Sequence, residues 1–328
     1  MAHNLHRNRM AFVGQVPWHG LGKEVPPTVT AEQMCRAAGL DWEVYKVPAP
    51  GARLVNVKCG LYDRNLILRD PIDREQEPVA LGMVGSSYEP LQNTEAFKFF
   101  EPFIDNKYAQ FHTAGALGNG ERVWVLAKLN DAIVIRPDDV VDRFLLLSNS
   151  HDGTGAVSIR FTPIRVVCQN TLNYAMKKSS GVISVRHTRH IARNLEDAQA
   201  EELKRIVDKA FEEAETLFGS MSLKNISTKD IDAILEALFP RTENQKKIKS
   251  EPERWTRIKS ILEDQKVTPY STRGSLWALY NAITRDEDYR MSREASADAR
   301  LERVWFGAGH DLKIKALAFC RDYLSKAA

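Results

Sequence analysis

The first half of the chain consists largely of short runs in which apolar and polar residues alternate, the pattern of β-strands. The runs fall at residues 42–47, 53–57, 61–68, 79–84, 108–114, 122–129, 132–135, 142–148, 156–161 and 182–186. Gly118-Asn119-Gly120 is typical of a β-hairpin turn. Helical spacing of apolar residues is found at 31–38, behind the N-cap Thr30, and at 93–103. The pattern predicts an α+β fold, an antiparallel β-meander with packed helices.

From residue 191 onward the apolar period becomes that of α-helices. Helices are predicted at 191–218, 231–239, 245–264, 276–284 and 312–325. Trp255, Trp277, Tyr280 and Trp305 are expected to be core or inter-helix anchors, with stacking platforms as the second interpretation. We therefore expect an α+β core domain over residues 1–190 and an all-helical C-terminal half over 191–328. Before the boundary, Pro163 is expected to break a strand, and Asp138 and Asp139, after Pro137, are expected to form a turn.

Composition is that of a globular protein, with 43% hydrophobic and 27% charged residues, which argues against a disordered chain. No run of about eighteen apolar residues occurs, and the first residues lack an apolar signal core, so no membrane partner is expected. The four cysteines are scattered without a CxxC pair, which predicts a reducing, cytoplasmic location and no cysteine zinc site. We expect no metal and no cofactor.

The distribution of charge along the chain says more about function than the overall composition does. Residues 153–195, here called the basic interval, contain no acidic residue, although the whole chain carries a net charge of only +3. The interval holds seven cations that we predict to bind nucleic acid: Arg160, Arg165, Lys177, Lys178, Arg186, Arg189 and Arg193. A polyanion would offset their mutual repulsion. The alternative is a basic face whose acids come from elsewhere in the fold.

A polar loop comes just before the basic interval. Asn149, His151 and Asp152 stand in it with two glycines, which permits a phosphate or metal site, or a catalytic loop with His151 as general base. A third interpretation is a turn in which Asn149 and Asp152 bond their own backbone. Adjacent His and Asp side chains leave a strand in different directions, so no catalytic residue is assigned.

The run from Arg165 to Leu172 offers another candidate. A helix is predicted over 166–176, and Gln169, Asn170 and Thr171 would then be donors at its start that could hold a phosphate. Cys168 could be a thiol nucleophile beside Arg165, or a packed core residue. We favour binding over catalysis here.

Four stretches carry a resemblance to a known family: Pro17-Trp18-His19-Gly20-Leu21-Gly22, Tyr88 with Gln92-Asn93, Ser150-His151-Asp152-Gly153, and Arg165-Val166-Val167-Cys168-Gln169-Asn170-Thr171-Leu172. In order and spacing they resemble the phage/plasmid-like proteins built on domain of unknown function 932. The resemblance implies origin in a phage, prophage or plasmid, and it implies no established activity.

By analogy with what such elements often encode, the first hypothesis is a nucleic-acid-binding protein. It would be a single-strand DNA-binding and annealing recombination factor that forms homo-oligomers and acts through sequence-neutral phosphate contacts. One alternative is a hydrolase or nuclease that uses the His151/Asp152 loop or Cys168. Another is a structural or host-interaction protein whose helical half docks a partner.

Overall fold

A computed structural model describes residues 5–14, 22–49, 64–165, 170–171, 182–189, 200–247, 251–289, 303–304 and 307–326. Side chains are described for most of these positions, the main exceptions being 5–8, 164–165, 170–171, 182–183 and 200–203.

The described residues form one large sheet of eight strands. The strands are β1 (Leu5–Val13), β2 (Lys23–Val25), β6 (Ala109–Leu117), β7 (Arg122–Arg136), β8 (Asp139–Ser150), β9 (Val157–Arg165), β10 (Asn170–Thr171) and β11 (Val182–Val185). Their order is β10-β9-β8-β7-β6-β1-β2, and β11 also pairs with β9. Each pairing is antiparallel except that of β1 with β2. Strands β6 to β9 follow one another in chain order, so the predicted meander is present.

A smaller antiparallel sheet and three short helices complete the N-terminal half. The sheet contains β3 (Val44–Pro48), β4 (Arg64–Arg69) and β5 (Val79–Gly85). The helices are α1 (Ala31–Ala37), α2 (Asn93–Lys98) and α3 (Glu101–Asp105). Thr30 caps α1 as predicted, because its hydroxyl accepts from the Gln33 amide while the Gln33 side chain accepts from the Thr30 amide. The strand predicted at 53–57 lies outside the described residues.

The C-terminal half is helical, as predicted. Its helices are α4 (Ala200–Leu223), α5 (Thr228–Leu238), α6 (Glu243–Lys247), α7 (Glu253–Glu263), α8 (Leu276–Tyr289) and α9 (Ala308–Lys326), with a 3-10 turn at Tyr270–Thr272. Trp255, Trp277 and Tyr280 are buried core residues, in agreement with the sequence analysis. Among the helices described, none has the length and apolar content needed to cross a membrane.

Both faces of the large sheet are buried. One face contributes Val125, Leu145 and Phe161 to the main core, where Phe161 meets Phe211 of α4 with ring centroids 3.7 Å apart. The opposite face carries a second apolar cluster that includes Trp124, Phe144 and Val304. Phe211 and Val304 both follow residue 200, so the helical half contributes side chains to the clusters on both faces of the sheet.

Several predicted boundaries differ from the structure. The two strands predicted at 122–129 and 132–135 are one long strand, β7, which continues through Asn130-Asp131 with a register shift against β8. Pro163 lies inside β9 rather than ending it. β8 pairs with Pro163 on one side of β9, but on the other side β11 pairs with residues 157–160 and β10 with residues 164–165. Among the described strands, the gap between β11 and β10 leaves Pro163 without a partner strand on that side, where a missing N–H is tolerated.

The helix predicted over 166–176 is wrong at the two positions that the structure describes. Asn170 and Thr171 form strand β10, paired antiparallel with Arg165 and Ile164. A strand has no bundle of unpaired N–H groups at its start, so these two residues are not phosphate donors of a helix N-terminus. Any contact they make with phosphate would have to come from their side chains.

Candidate nucleic-acid interface

The segment that follows β11 presents two arginines on either side of a buried histidine. Arg186, Thr188 and Arg189 are exposed, whereas His187 keeps only 7% of its surface accessible. The His187 ring stacks on Tyr88 with centroids 4.5 Å apart and planes inclined by 18°. Burial lowers the pKa of His187, so the ring is neutral near pH 7 and the positive charge belongs to the arginines.

Two backbone contacts fix this segment to the turn after β5. The Glu89 amide donates to the His187 carbonyl over 3.2 Å, and the His187 Nδ1 lies 3.2 Å from the Glu89 carbonyl. The Tyr88 hydroxyl donates in turn to the Ser150 carbonyl over 3.0 Å. Lys46 ties the same turn to β3 through the carbonyls of Ser86 and Tyr88. The backbone at His187, which lies between Arg186 and Arg189, is therefore anchored to the turn between the two sheets.

The polar loop before β9 is a structural turn. His151 is fully buried, and its Nε2 lies 2.9 Å from Asn93 Oδ1 and 3.4 Å from Asn149 Nδ2. Asn149 also donates to the Leu91 carbonyl, and Asn93 donates to the Leu40 carbonyl. Burial lowers the pKa of His151 to about 3. The His151 ring, which is enclosed and only weakly basic, connects α2 to the large sheet. It is not placed to accept a proton from a substrate.

Asp152 bonds its own turn, as one of the three interpretations predicted, whereas Asn149, for which the same was predicted, donates to the distant Leu91 carbonyl. Its Oδ1 accepts from the Ser150 hydroxyl at 2.6 Å and from the Thr154 amide and hydroxyl at 2.9 and 2.7 Å. Burial raises the pKa of Asp152, but these hydrogen bonds outweigh burial and leave the pKa lowered. No hydrogen bond between Asp152 and His151 occurs within this fully described turn, so the arrangement of a general base with an orienting carboxylate is not formed.

Close packing against β5 fixes the turn. A Cβ placed on Gly82 would come within 2.5 Å of the Asp152 Cα, and Gly153 adopts a φ of +77° against Val84. Glycine is needed at both places, for different reasons: backbone approach at Gly82 and left-handed conformation at Gly153.

The predicted cations for which the structure gives at least a backbone position are spread along β9 and the segment after β11. Arg186 follows Val185, which pairs with Val157 at the start of β9, whereas Arg165 is the last residue of β9. Eight steps along a strand separate Val157 from Arg165, about 27 Å at roughly 3.4 Å per residue. Arg160, between them, is half-buried, and its Nη1 lies 3.4 Å from His310 Nε2 of α9. Arg160 thus faces the helical half, while Arg186 and Arg189 face solvent.

The remaining candidates lie outside what the structure describes. For Arg165, Asn170 and Thr171 only the backbone is described; Cys168, Gln169, Lys177, Lys178 and Arg193 fall in segments without a description.

Three consecutive acidic residues of α8 are already paired. Asp286, Glu287 and Asp288 of α8 are buried, and their partners are Arg254, Arg257, Arg303 and Lys313. The part of the chain that is described contains no group of His, Cys, Asp and Glu arranged to hold a metal ion. This acidic row is therefore occupied by ion pairs within the helical half.

Sequence reasoning missed the residues that hold the interface in place. Tyr88 and Asn93 entered the sequence analysis only as parts of a resemblance, yet they contact His187 and His151. An Asn that heads a helix satisfies the capping pattern, so the pattern alone gives no signal that its side chain bonds a residue 58 positions away.

Comparison with known families gives one match: the family described as "Domain of unknown function (DUF932)" matches residues 80–305. That range includes the Tyr88 turn, the polar loop, the basic interval and the helices up to the start of α9. No curated protein and no solved structure matches the chain.

Proposed function

The chain belongs to the family built on domain of unknown function 932, and from that premise, which supplies no activity, we propose that it binds single-stranded DNA through sequence-neutral contacts to phosphate. The observation that carries the proposal is the pair of exposed arginines, Arg186 and Arg189, on a segment anchored by the buried His187. Cations held in place by their backbone lose less conformational entropy on binding than cations on a mobile loop.

Charge and sequence context support the same proposal. Arginine donates in a planar fork that suits phosphate, and phosphate contacts position a protein without reading bases. Lys177 and Lys178 precede β11 and Arg193 follows the arginine pair, all within the basic interval that has no acid. Arg165 would extend the contact to the far end of β9. Arg160 is the weakest member of the predicted set, because it is half-buried against His310.

Salt-dependent binding tests the proposal. A fluorescently labelled single-stranded oligonucleotide should bind with an affinity that falls steeply with salt, with a slope of log K against log salt of about −0.7 per phosphate contacted. Replacing Arg186 and Arg189 together by Ala removes two contacts, so the slope should become shallower by about 1.4 while affinity drops. Circular dichroism should show an unchanged fold, because both side chains are exposed.

The matched control is the double change Lys98→Ala and Lys266→Ala. It lowers the net charge by the same amount at two exposed positions on other elements. If this control weakens binding as much as the arginine pair does, the effect is one of overall charge and the proposed interface is wrong. The absence of any salt-sensitive binding by the unaltered protein would refute the function itself.

Annealing and assembly are finer parts of the proposal. A recombination factor of a phage or plasmid would pair complementary strands and form homo-oligomers, so the particle size in solution should exceed that of a single chain. The alternative of a hydrolase or nuclease receives no support from the hydrogen bonds of His151 and Asp152, which are those of a structural turn. A monomer that binds no oligonucleotide would favour the structural or host-interaction alternative.

A further inference from the structure

Tyr270 is the most exposed large apolar side chain of the described residues, with 83% of its surface accessible. It begins the 3-10 turn Tyr270–Thr272, between the buried Pro269 and the exposed Ser271. Exposing an aromatic ring to this extent forgoes the stabilisation that burial would give. An aromatic side chain in such a position is a candidate for contact with a ligand.

The turn that carries Tyr270 is held firmly. The Thr272 amide donates to the Pro269 carbonyl over 3.2 Å, and the Thr272 hydroxyl lies 3.3 Å from Asp139 Oδ2. The Ser271 hydroxyl donates to Asp138, at the start of β8. The Tyr270 side chain therefore lies in solvent, while its backbone is fixed to the large sheet. Binding of a ligand to the ring would restrict only the two side-chain torsions of Tyr270.

Arg273 places a positive charge beside the ring. Its guanidinium carbon lies 5.7 Å from the centre of the Tyr270 ring, within the range of a cation–π contact. In the described part of the chain Arg273 has no carboxylate partner, and its buried Nε has no hydrogen-bond partner. Of the described carboxylates, the one bonded to this turn at an exposed position is Asp138, which bonds Ser271 and not Arg273. An aromatic ring next to a cation is a combination that can bind a stacked base and its phosphate.

The position of the turn relates it to the basic interval. Pro137 and Asp138 connect β7 to β8, and Val141 of β8 pairs with Arg165. Tyr270 thus lies toward the Arg165 end of β9, and Arg186 and Arg189 lie toward the other end. We propose that Tyr270 and Arg273 form a stacking site for a base of single-stranded nucleic acid. This inference rests on the proposed function and adds a second contact to it.

The surroundings favour a base over a second copy of the chain. The core of a protein interface is a contiguous apolar patch, whereas the chain neighbours of Tyr270 are the buried Pro269 and the polar Ser271 and Arg273. A single ring bordered by polar groups suits a flat ligand with its own charge.

Substitution of Tyr270 tests the stacking site. Tyr270→Ala should weaken binding of a labelled single-stranded oligonucleotide at least about fivefold, whereas Tyr270→Trp and Tyr270→Phe should retain it. The salt slope should stay unchanged, because no charge is removed. An oligonucleotide of the same length made of abasic sugar-phosphate should bind Tyr270→Ala and the unaltered protein equally. Leu223→Ala, at a side chain 71% exposed, is the control for loss of exposed apolar surface.

A photochemical readout is independent of affinity. An oligonucleotide that contains 5-iododeoxyuridine should cross-link to Tyr270 on irradiation, and peptide mapping should identify the residue.

If Tyr270→Ala binds as tightly as the unaltered protein while the Arg186/Arg189 double variant binds weakly, the stacking site is refuted and the proposed function stands. If Tyr270→Ala instead changes the particle size, Tyr270 belongs to an interface between copies and the inference is wrong. If the unaltered protein binds no oligonucleotide, the proposed function itself is refuted, and the stacking site with it.

Discussion

His151 and His187 show how burial turns residues that resemble catalytic groups into structural ones. His151 loses contact with water entirely and is bonded by Asn93, and His187 stacks on Tyr88 and bonds Glu89. Burial lowers the pKa of both rings, since the charged form is costly to desolvate. Both histidines join the small-sheet side of the fold to the large sheet.

Low-pKa histidines make the folded protein sensitive to acid. Unfolding raises the pKa of His151 from about 3 to 6.5, so below pH 6.5 the unfolded chain binds a proton that the folded chain does not. Stability from this residue is therefore complete above pH 6.5 and decreases as the pH falls, by about 2 kcal/mol at pH 5. Denaturant unfolding at several pH values should show the decrease.

The variant His151→Gln separates this effect from general acid denaturation. Glutamine cannot take up the proton, so the free energy of unfolding should be lower than that of the unaltered protein at pH 7 but should fall less steeply below pH 6, by about 1.4 kcal/mol per pH unit. Parallel curves for the two proteins would show that His151 does not titrate on unfolding.

Gly82 is a second residue whose role depends on a close neighbour. In Gly82→Ala the new methyl group would meet the Asp152 backbone at 2.5 Å, so the polar turn or β5 must shift. We expect a loss of about 1–3 kcal/mol in the free energy of unfolding. Gly85→Ala is the control, since it lies in the same strand and its Cβ would meet nothing within 4 Å. The control should change stability by no more than about 0.5 kcal/mol, and equal losses in both variants would contradict this interpretation.

At the scale of elements, Asp139 joins the large sheet to the helical half. It is fully buried at the first position of β8, and its Oδ2 accepts from Trp277 Nε1 of α8 at 2.9 Å and from Thr272 at 3.3 Å. Asp138, one residue earlier, is exposed and bonds Ser271. The sequence predicted only a turn at this pair, but one of the two carboxylates is a buried acceptor between elements.

Asp139→Ala should destabilise the protein by about 3 kcal/mol, because it leaves the Trp277 and Thr272 donors buried without an acceptor. Asp138→Ala, which removes an exposed carboxylate from the adjacent position, should cost about 1 kcal/mol or less. Thermal unfolding of the two variants measures the difference. A double-mutant cycle with Trp277→Phe would then isolate the contact, and a coupling energy near zero would contradict the role given to Asp139.

At the scale of the whole molecule, the helical half and the sheet share one core. The main apolar cluster takes Leu145 and Phe161 from the sheet and Phe211, Phe218 and Trp277 from the helices. The division into domains 1–190 and 191–328 stays a prediction about folding units, although the change of secondary structure near the boundary is present. Because Arg160 faces α9, the helical half also decides which cations of the basic interval reach solvent.

The sequence by itself determined the type and order of the elements. The alternation of β6 to β9, the N-cap at Thr30 and the helical period after residue 200 depend on residues near one another in the chain, so local patterns reveal them. The same patterns failed at Pro163 and at Asn170–Thr171, where the outcome depends on which strands pair with β9.

Only the tertiary structure decided which polar residues are exposed. His151, His187, Asp139 and Arg160 share their residue types with binding and catalytic groups, and no local pattern distinguishes them from Arg186 and Arg189. The distinction comes from long-range packing, since a partner 58 positions away buries His151 and another 150 positions away contacts Arg160. The free energy needed to desolvate a charge depends on those distant neighbours. The order of charges along the chain therefore predicted a basic interval, but it could not predict which of its cations are exposed to solvent.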